Sequence, residues 1–128
     1  MKSLSHYTEK AMTKVLDNNG AFFAFSDKQF DEGKKEGVKY TTSGMGMIVP
    51  VENLKTLEKA IKEVVSTGIK QDIADNGEKA IIKRELANHE SYYTGEIEQT
   101  IEALSGYNFT TEAIMKVFRV EQKKEYNY

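Results

Sequence analysis

The chain of 128 residues contains no cysteine. Disulfides, thiolate metal sites and cysteine nucleophiles are therefore excluded. Stability has to come from packing, and this length suffices for one domain with its own core. Histidine is almost as scarce, with only His6 and His89. A usual zinc centre needs three or four ligands, so histidine alone cannot build one. No apolar run approaches a membrane span. The opening MKSLSHYTEK lacks the apolar centre of a signal peptide. A cytoplasmic location fits both observations and the missing cysteine. Strong charge of one sign is lacking too: the formal net charge is -2, too small to make the whole molecule attract nucleic acid. Arginine occurs only at Arg84 and Arg119, and proline only at Pro50.

What is present is periodicity. From Ser3 to Asn18 the apolar residues Leu4, Tyr7, Ala11, Met12, Val15 and Leu16 recur every three or four positions, as in an amphipathic helix. Asn18-Asn19-Gly20 reads as its left-handed stop. The stretch from Gly20 to Pro50 holds the strand signals. Ala21–Phe25 is a short aromatic run, Val38–Thr42 alternates, and Met45–Val49 reads as a third strand. Ser26 lies three residues before Gln29, a capping-box spacing that predicts a short helix over 27–35. Pro50 suits the first turn of the next helix, whose stripe of Leu54, Leu57, Ile61, Val64 and Val65 should stop at Gly68. A second break is expected at Asp75-Asn76-Gly77. Thr94 is placed to cap the helix carrying Ile97, Ile101 and Leu104, and Thr110 or Thr111 the last one, with Ile114, Val117 and Phe118 inward. Residues 121–128 turn polar and should fray. The expected fold is α+β: a single domain spanning 1–128, with about three antiparallel strands packed against five or six helices.

The motifs carry little chemistry. Glu85 and His89 are four apart and could begin a metal site, but an ordinary polar helix face explains them better. Gly44-Met45-Gly46 is a lone Gly-x-Gly. It lacks the third glycine of a dinucleotide fingerprint and the Lys-Ser/Thr of a phosphate loop, so a glycine-eased hairpin is the better reading. No nucleophile elbow is present. A non-enzymatic protein is expected, without cofactor, metal or small-molecule substrate.

Charge is segregated by helix face. Lys116, Arg119 and Lys123 are three and four apart. Lys79 and Lys83 form a second stripe, Lys55, Lys59 and Lys62 a third, and Lys34 and Lys35 mark a turn. If such stripes converge, they form a basic groove on a net acidic protein. Tyr92, Tyr93 and Tyr107 would then offer stacking surface to a single strand. The plainer reading is a set of solvated helix faces.

The run GAFFAFSDKQFDEGKKEGVKYTTSGMGMIVP, followed by ELANHESYYTGEIEQTIEAL, resembles a family of small, mostly uncharacterised proteins of phages and other mobile elements. In size and composition the chain also resembles anti-CRISPR proteins. That resemblance implies an inhibitor of a host RNA-guided nuclease in the bacterial cytoplasm. It would bind the CRISPR effector protein or its guide RNA, with Lys34, Lys35, Lys79, Lys83, Lys116, Arg119 and Lys123 as contacts. The alternative is a phage or mobile-element module for protein–protein interaction, with no nucleic-acid role.

Overall fold

The computed structural model describes residues 2–126, and the side chains of residues 2–124. The fold is α+β. In chain order the elements are α1 (Leu4–Asn18), β1 (Phe22–Phe23), α2 (Asp27–Gly33), β2 (Tyr40–Thr42), β3 (Met47–Pro50), α3 (Leu54–Asn76), α4 (Glu78–Asn88), α5 (Ser91–Thr94), α6 (Glu98–Ala103) and α7 (Thr111–Tyr126). Short 3-10 turns cover Val51–Asn53 and Ser105–Tyr107. Residues up to Tyr7 and from Gly68 onward form one compact unit, and Thr8–Thr67 another. No helix among the described residues is long and apolar enough to cross a membrane.

The Thr8–Thr67 unit carries the sheet. α1 ends there in a Schellman motif. Ala21 N–H donates to the Leu16 carbonyl at 2.9 Å and Gly20 N–H to that of Asp17 at 3.2 Å. Gly20 takes φ 68°, the left-handed stop that the sequence predicts. The strand order is β1-β3-β2, all antiparallel, with Phe22 opposite Ile48, Phe23 opposite Met47 and Thr41 opposite Val49. The capping-box spacing also closes. Ser26 Oγ accepts from Gln29 N–H at 3.2 Å, while Gln29 Oε1 accepts from Phe25 N–H at 2.7 Å. This starts α2 and turns Phe30 toward Phe22 and Tyr40, at ring-centroid distances of 6.3 and 5.8 Å. Val49 and Leu57 are fully buried.

The expected strands are shortened. Of Ala21–Phe25 only Phe22–Phe23 is strand, although Ala24 N–H still donates to the Gly46 carbonyl at 2.8 Å, and Val38 lies before β2. Met45 does not begin β3. Gly44, Met45 and Gly46 have φ 89°, 54° and 80°, and Met47 N–H closes the turn on the Gly44 carbonyl at 3.0 Å. Positive φ at Met45 and Gly46 together is type I′ geometry, which follows the twist of the flanking strands. Flanking glycines let the chain turn where alternation alone reads as strand. Pro50 ends β3 and is the N-cap residue of the 3-10 turn Val51–Asn53, which runs directly into α3.

The stop expected at Gly68 is absent: α3 continues for 23 residues to Asn76. A glycine inside a helix costs about 1 kcal/mol relative to alanine. That is too little to end a helix whose apolar stripe resumes at Ile69. The break comes instead at Gly77, with φ 79°.

The other unit is built on α4 and α7. Ile81, Ile82 and Leu86 from α4 meet Ile114 and Phe118 from α7, together with Leu104 and Tyr107, and Leu4 and Ile69 pack on this cluster. Thr94 caps no helix: its Oγ1 accepts from Glu96 N–H at 3.2 Å, and α6 begins only at Glu98, behind Ile97. Thr110 does cap α7, accepting from Ala113 N–H at 3.0 Å. The stretch from Glu121, expected to fray, is helical as far as Tyr126. The rest of that expectation, on residues 127–128, lies outside the described residues.

Candidate functional site

The apolar positions of α7 form more than one stripe. Ile114 and Phe118 face the core. Ala113, Val117 and Val120, spaced four and three apart, form a neighbouring stripe with Val120 left 43% exposed. On α4 the position that meets this stripe is Ile82, which is fully buried. The result is a groove along the α4–α7 seam with a volume of about 410 Å³. Its floor is Ile82, Ala113, Val117 and Val120. Lys79 stands on the α4 wall beside Glu78, and Lys116 on the α7 wall. An adjoining depression of about 390 Å³ shares Lys116 and Val120 and adds Met115, Arg119 and Glu112.

The structure therefore brings part of the expected basic set together. Lys79, Lys116 and Arg119 border this groove and its extension. Lys83, from the same stripe as Lys79, has its Nζ 3.7 Å from Glu121 Oε2, while Lys124 reaches the other oxygen of Glu121 at 3.5 Å. Its charge is thus partly neutralised. Lys123 is exposed in the last turn of α7, where a cation stabilises the helix terminus. Lys34 and Lys35 belong to the Thr8–Thr67 unit. Lys34 ends α2, pairs with Asp31 at 3.2 Å and lies 5.9 Å over the Phe30 ring.

The tyrosines do not form a stacking surface as expected. Tyr107 is buried and Tyr92 is half-buried, stacked on Phe118 with centroids 6.0 Å apart. Tyr93 is 83% exposed.

Tyr107 belongs instead to a buried polar clasp that periodicity alone does not reveal. Arg84 binds Asp72 bidentately, Nη1 to Oδ1 and Nη2 to Oδ2, both at 3.0 Å. Asp72 also accepts from Tyr107 Oη at 2.5 Å and from Asn76 Nδ2 at 2.8 Å. Arg84 Nε donates to Glu85 Oε1 at 2.9 Å, and Nη1 donates to the Lys2 carbonyl at 3.1 Å. Burial pushes the Asp72 carboxyl up. The hydrogen bonds from Arg84, Tyr107 and Asn76, with the charge of Arg84, outweigh that and hold it below its ordinary value. Burial and the Asp72 carboxylate push the Tyr107 phenol up to about 12. At neutral pH both groups keep their usual charge, so the clasp is built to join α3, α4 and the segment after α6. The signal for it is a carboxylate and an amide, Asp72 and Asn76, in line with Ile69 on one helix face.

Glu85 sits beside this clasp, and its Oε2 is 3.5 Å from His89 Nε2. Among the described residues no group of three or more His, Asp or Glu side chains is arranged to hold a metal ion.

The Thr8–Thr67 unit also exposes apolar surface. Phe23 is 53% exposed, Phe25 74% and Met45 93%. The two phenylalanine rings are parallel, with centroids 6.4 Å apart. Antiparallel pairing places Phe23 opposite Met47, beside the turn that presents Met45.

No curated protein and no solved structure matches the chain. A protein-family model, described as a family of unknown function (DUF7659), matches residues 4–126, and the chain belongs to that family.

Proposed function

We propose that the protein is a non-enzymatic binding module that captures a macromolecular partner on the α4–α7 face. The observation that carries this reading is the groove itself. Val120 is left exposed and Ala113 and Val117 only partly covered along the seam between two helices, with Lys79 on one side and Lys116 on the other. A protein that needed only to fold would gain about 25 cal/mol for each Å² of that floor it covered. Partly exposed apolar surface rimmed by charge is the usual character of an interaction site.

A protein partner fits this surface better than RNA does. The floor is aliphatic, Glu78 and Glu112 stand among the cations, and Tyr92 and Tyr107 are turned inward. Single-stranded nucleic acid favours exposed aromatic platforms along a continuous basic track. The anti-CRISPR setting, with its cytoplasmic location, rests on the sequence resemblance. Within that setting the groove favours contact with the effector protein over contact with its guide RNA.

The test is capture from lysate of the source cells, with and without ribonuclease, by the wild-type chain and by a Lys116→Glu, Arg119→Glu variant. Both side chains are exposed, so the fold should be unaffected. A partner retained by the wild type after ribonuclease and lost by the variant is the expected result. Equal capture by both proteins removes the α4–α7 face as the binding surface.

A further inference from the structure

We infer that the occupant of the α4–α7 groove is an amphipathic helix with acidic flanks; this rests on the binding-module reading above. Three features select a helix. The groove runs along the seam between two helices, whose side-chain ridges and grooves accept a third helix about 8–10 Å away. On α7 the groove is lined from Ala113 to Val120, roughly 10 Å at 1.5 Å per residue, enough for about two turns of a ligand helix. The floor residues Ala113, Val117 and Val120 recur at helical spacing. They present a row of shallow apolar sites suited to anchors at i, i+3 or i+4, and i+7 of a ligand.

Charge selects the flanks. Lys79 stands on one wall and Lys116 on the other, with Arg119 in the adjoining depression on α7. A helix lying between them meets a cation on each side of its apolar stripe, so carboxylates are favoured on both flanks. The α4 wall also holds Glu78, and the adjoining depression Glu112. These interrupt the basic track that a phosphate backbone would need, but leave room for discrete carboxylate–cation pairs. A small molecule fits less well, because the groove is open and its polar groups do not converge on one point.

The probes are a fluorescein-labelled amphipathic peptide of about 18 residues with leucines at i, i+3, i+4 and i+7 and glutamates on both flanks, its lysine-flanked counterpart, and a single-stranded RNA of about 20 nucleotides. Anisotropy measures affinity, amide chemical shifts locate the site, and sedimentation reports self-association. The glutamate peptide should bind at least about tenfold more tightly than the lysine peptide, with the gap narrowing in high salt. Its shifts should fall on residues 79–82 and 113–120. Val120→Asp, at an exposed position, should weaken the glutamate peptide by about tenfold or more while leaving the far-ultraviolet spectrum and melting temperature intact.

Equal affinity for the two peptides, or shifts confined elsewhere, overturns the inference. So does dimerisation that Val120→Asp abolishes, because the occupant would then be a second copy of the chain. RNA binding at the groove with no peptide binding overturns the acidic helix but leaves the binding-module reading standing. Absence of any probe binding, together with lysate capture unaffected by Lys116→Glu, Arg119→Glu, removes both.

Discussion

Asp72→Ala should destabilise the protein by about 3 kcal/mol, which follows from the groups it strands. Asp72 is fully buried and accepts two guanidinium hydrogen bonds at 3.0 Å, the Tyr107 phenol at 2.5 Å and the Asn76 amide at 2.8 Å. Removing one partner of a buried ion pair costs about 3–5 kcal/mol, because the other charge is left uncompensated. Arg84 keeps Glu85 at 2.9 Å and the Lys2 carbonyl at 3.1 Å, so the lower end of that range applies. For a domain of this size, about 3 kcal/mol corresponds to a fall in Tm of roughly 10–15 °C. Urea unfolding followed by circular dichroism measures it. Adding Arg84→Met to Asp72→Ala removes the stranded charge and should return about 1–2 kcal/mol. The pH dependence has a definite sign. The folded-state carboxyl titrates below its ordinary 3.8. Its contribution is therefore complete above that value and is lost as pH falls through the lowered one. The stability gap between wild type and Asp72→Ala should be constant from about pH 7 to pH 5 and shrink below about pH 4. A loss under about 1 kcal/mol, a gap unchanged in acid, or no recovery on adding Arg84→Met would refute the buried clasp.

Gly33→Ala sets helix propensity against packing. Alanine gains about 1 kcal/mol in a helix, but its Cβ would meet Phe22 Cε2 at 2.5 Å. Phe22 is held between Phe30 and Tyr40, so overpacking costs about 1–3 kcal/mol and a net loss near 1 kcal/mol is expected in urea unfolding. A stabilised variant would show that the Phe22 ring moves freely. Met45→Asn should have the opposite effect. Met45 is 93% exposed at φ 54°, where asparagine is better tolerated, so a gain of about 0.5–1 kcal/mol is expected. A loss of stability on that substitution would mean that the Met45 side chain contributes to packing.

The helices were legible where a local rule decides the outcome. Gly20 stops α1 because the terminal carbonyls need donors and glycine supplies the left-handed turn that brings them. Gly68 and Gly77 look alike as letters, yet only Gly77 interrupts a helix. The difference is tertiary. Gly68 is buried, and the apolar stripe on either side of it holds α3 together against a small propensity penalty. Asp75 and Asn76, which precede Gly77, are both poor helix formers, so the second break is supported by its neighbours and the first is not. Met45 leaves the expected strand for another reason. An apolar residue between two glycines satisfies strand alternation and a type I′ turn equally well in pattern, and only the pairing of β2 with β3 distinguishes them.

The candidate site was half legible for the same reason. Spacing by three and four places Lys79 with Lys83, and Lys116 with Arg119, on common helix faces. It cannot say that α4 and α7 lie side by side, because that contact spans a long stretch of sequence. Nor can it say that Glu121, on α7, draws Lys83 away from its neighbours. The apolar half of the site overlaps the core: Val117 packs inward with Ile114 and Phe118, as its spacing predicts, and is only partly buried there. Ala113 and Val120 extend it into a separate stripe that no described element fully covers. That stripe gives the basic residues their significance. Lysines on a solvated helix face stabilise little and bind weakly. On the proposed binding reading, the same lysines beside a partly exposed apolar stripe would orient a partner whose buried surface supplied most of the affinity. The groove's selectivity should therefore follow Lys79, Lys116 and Arg119, and its strength should follow Val117 and Val120.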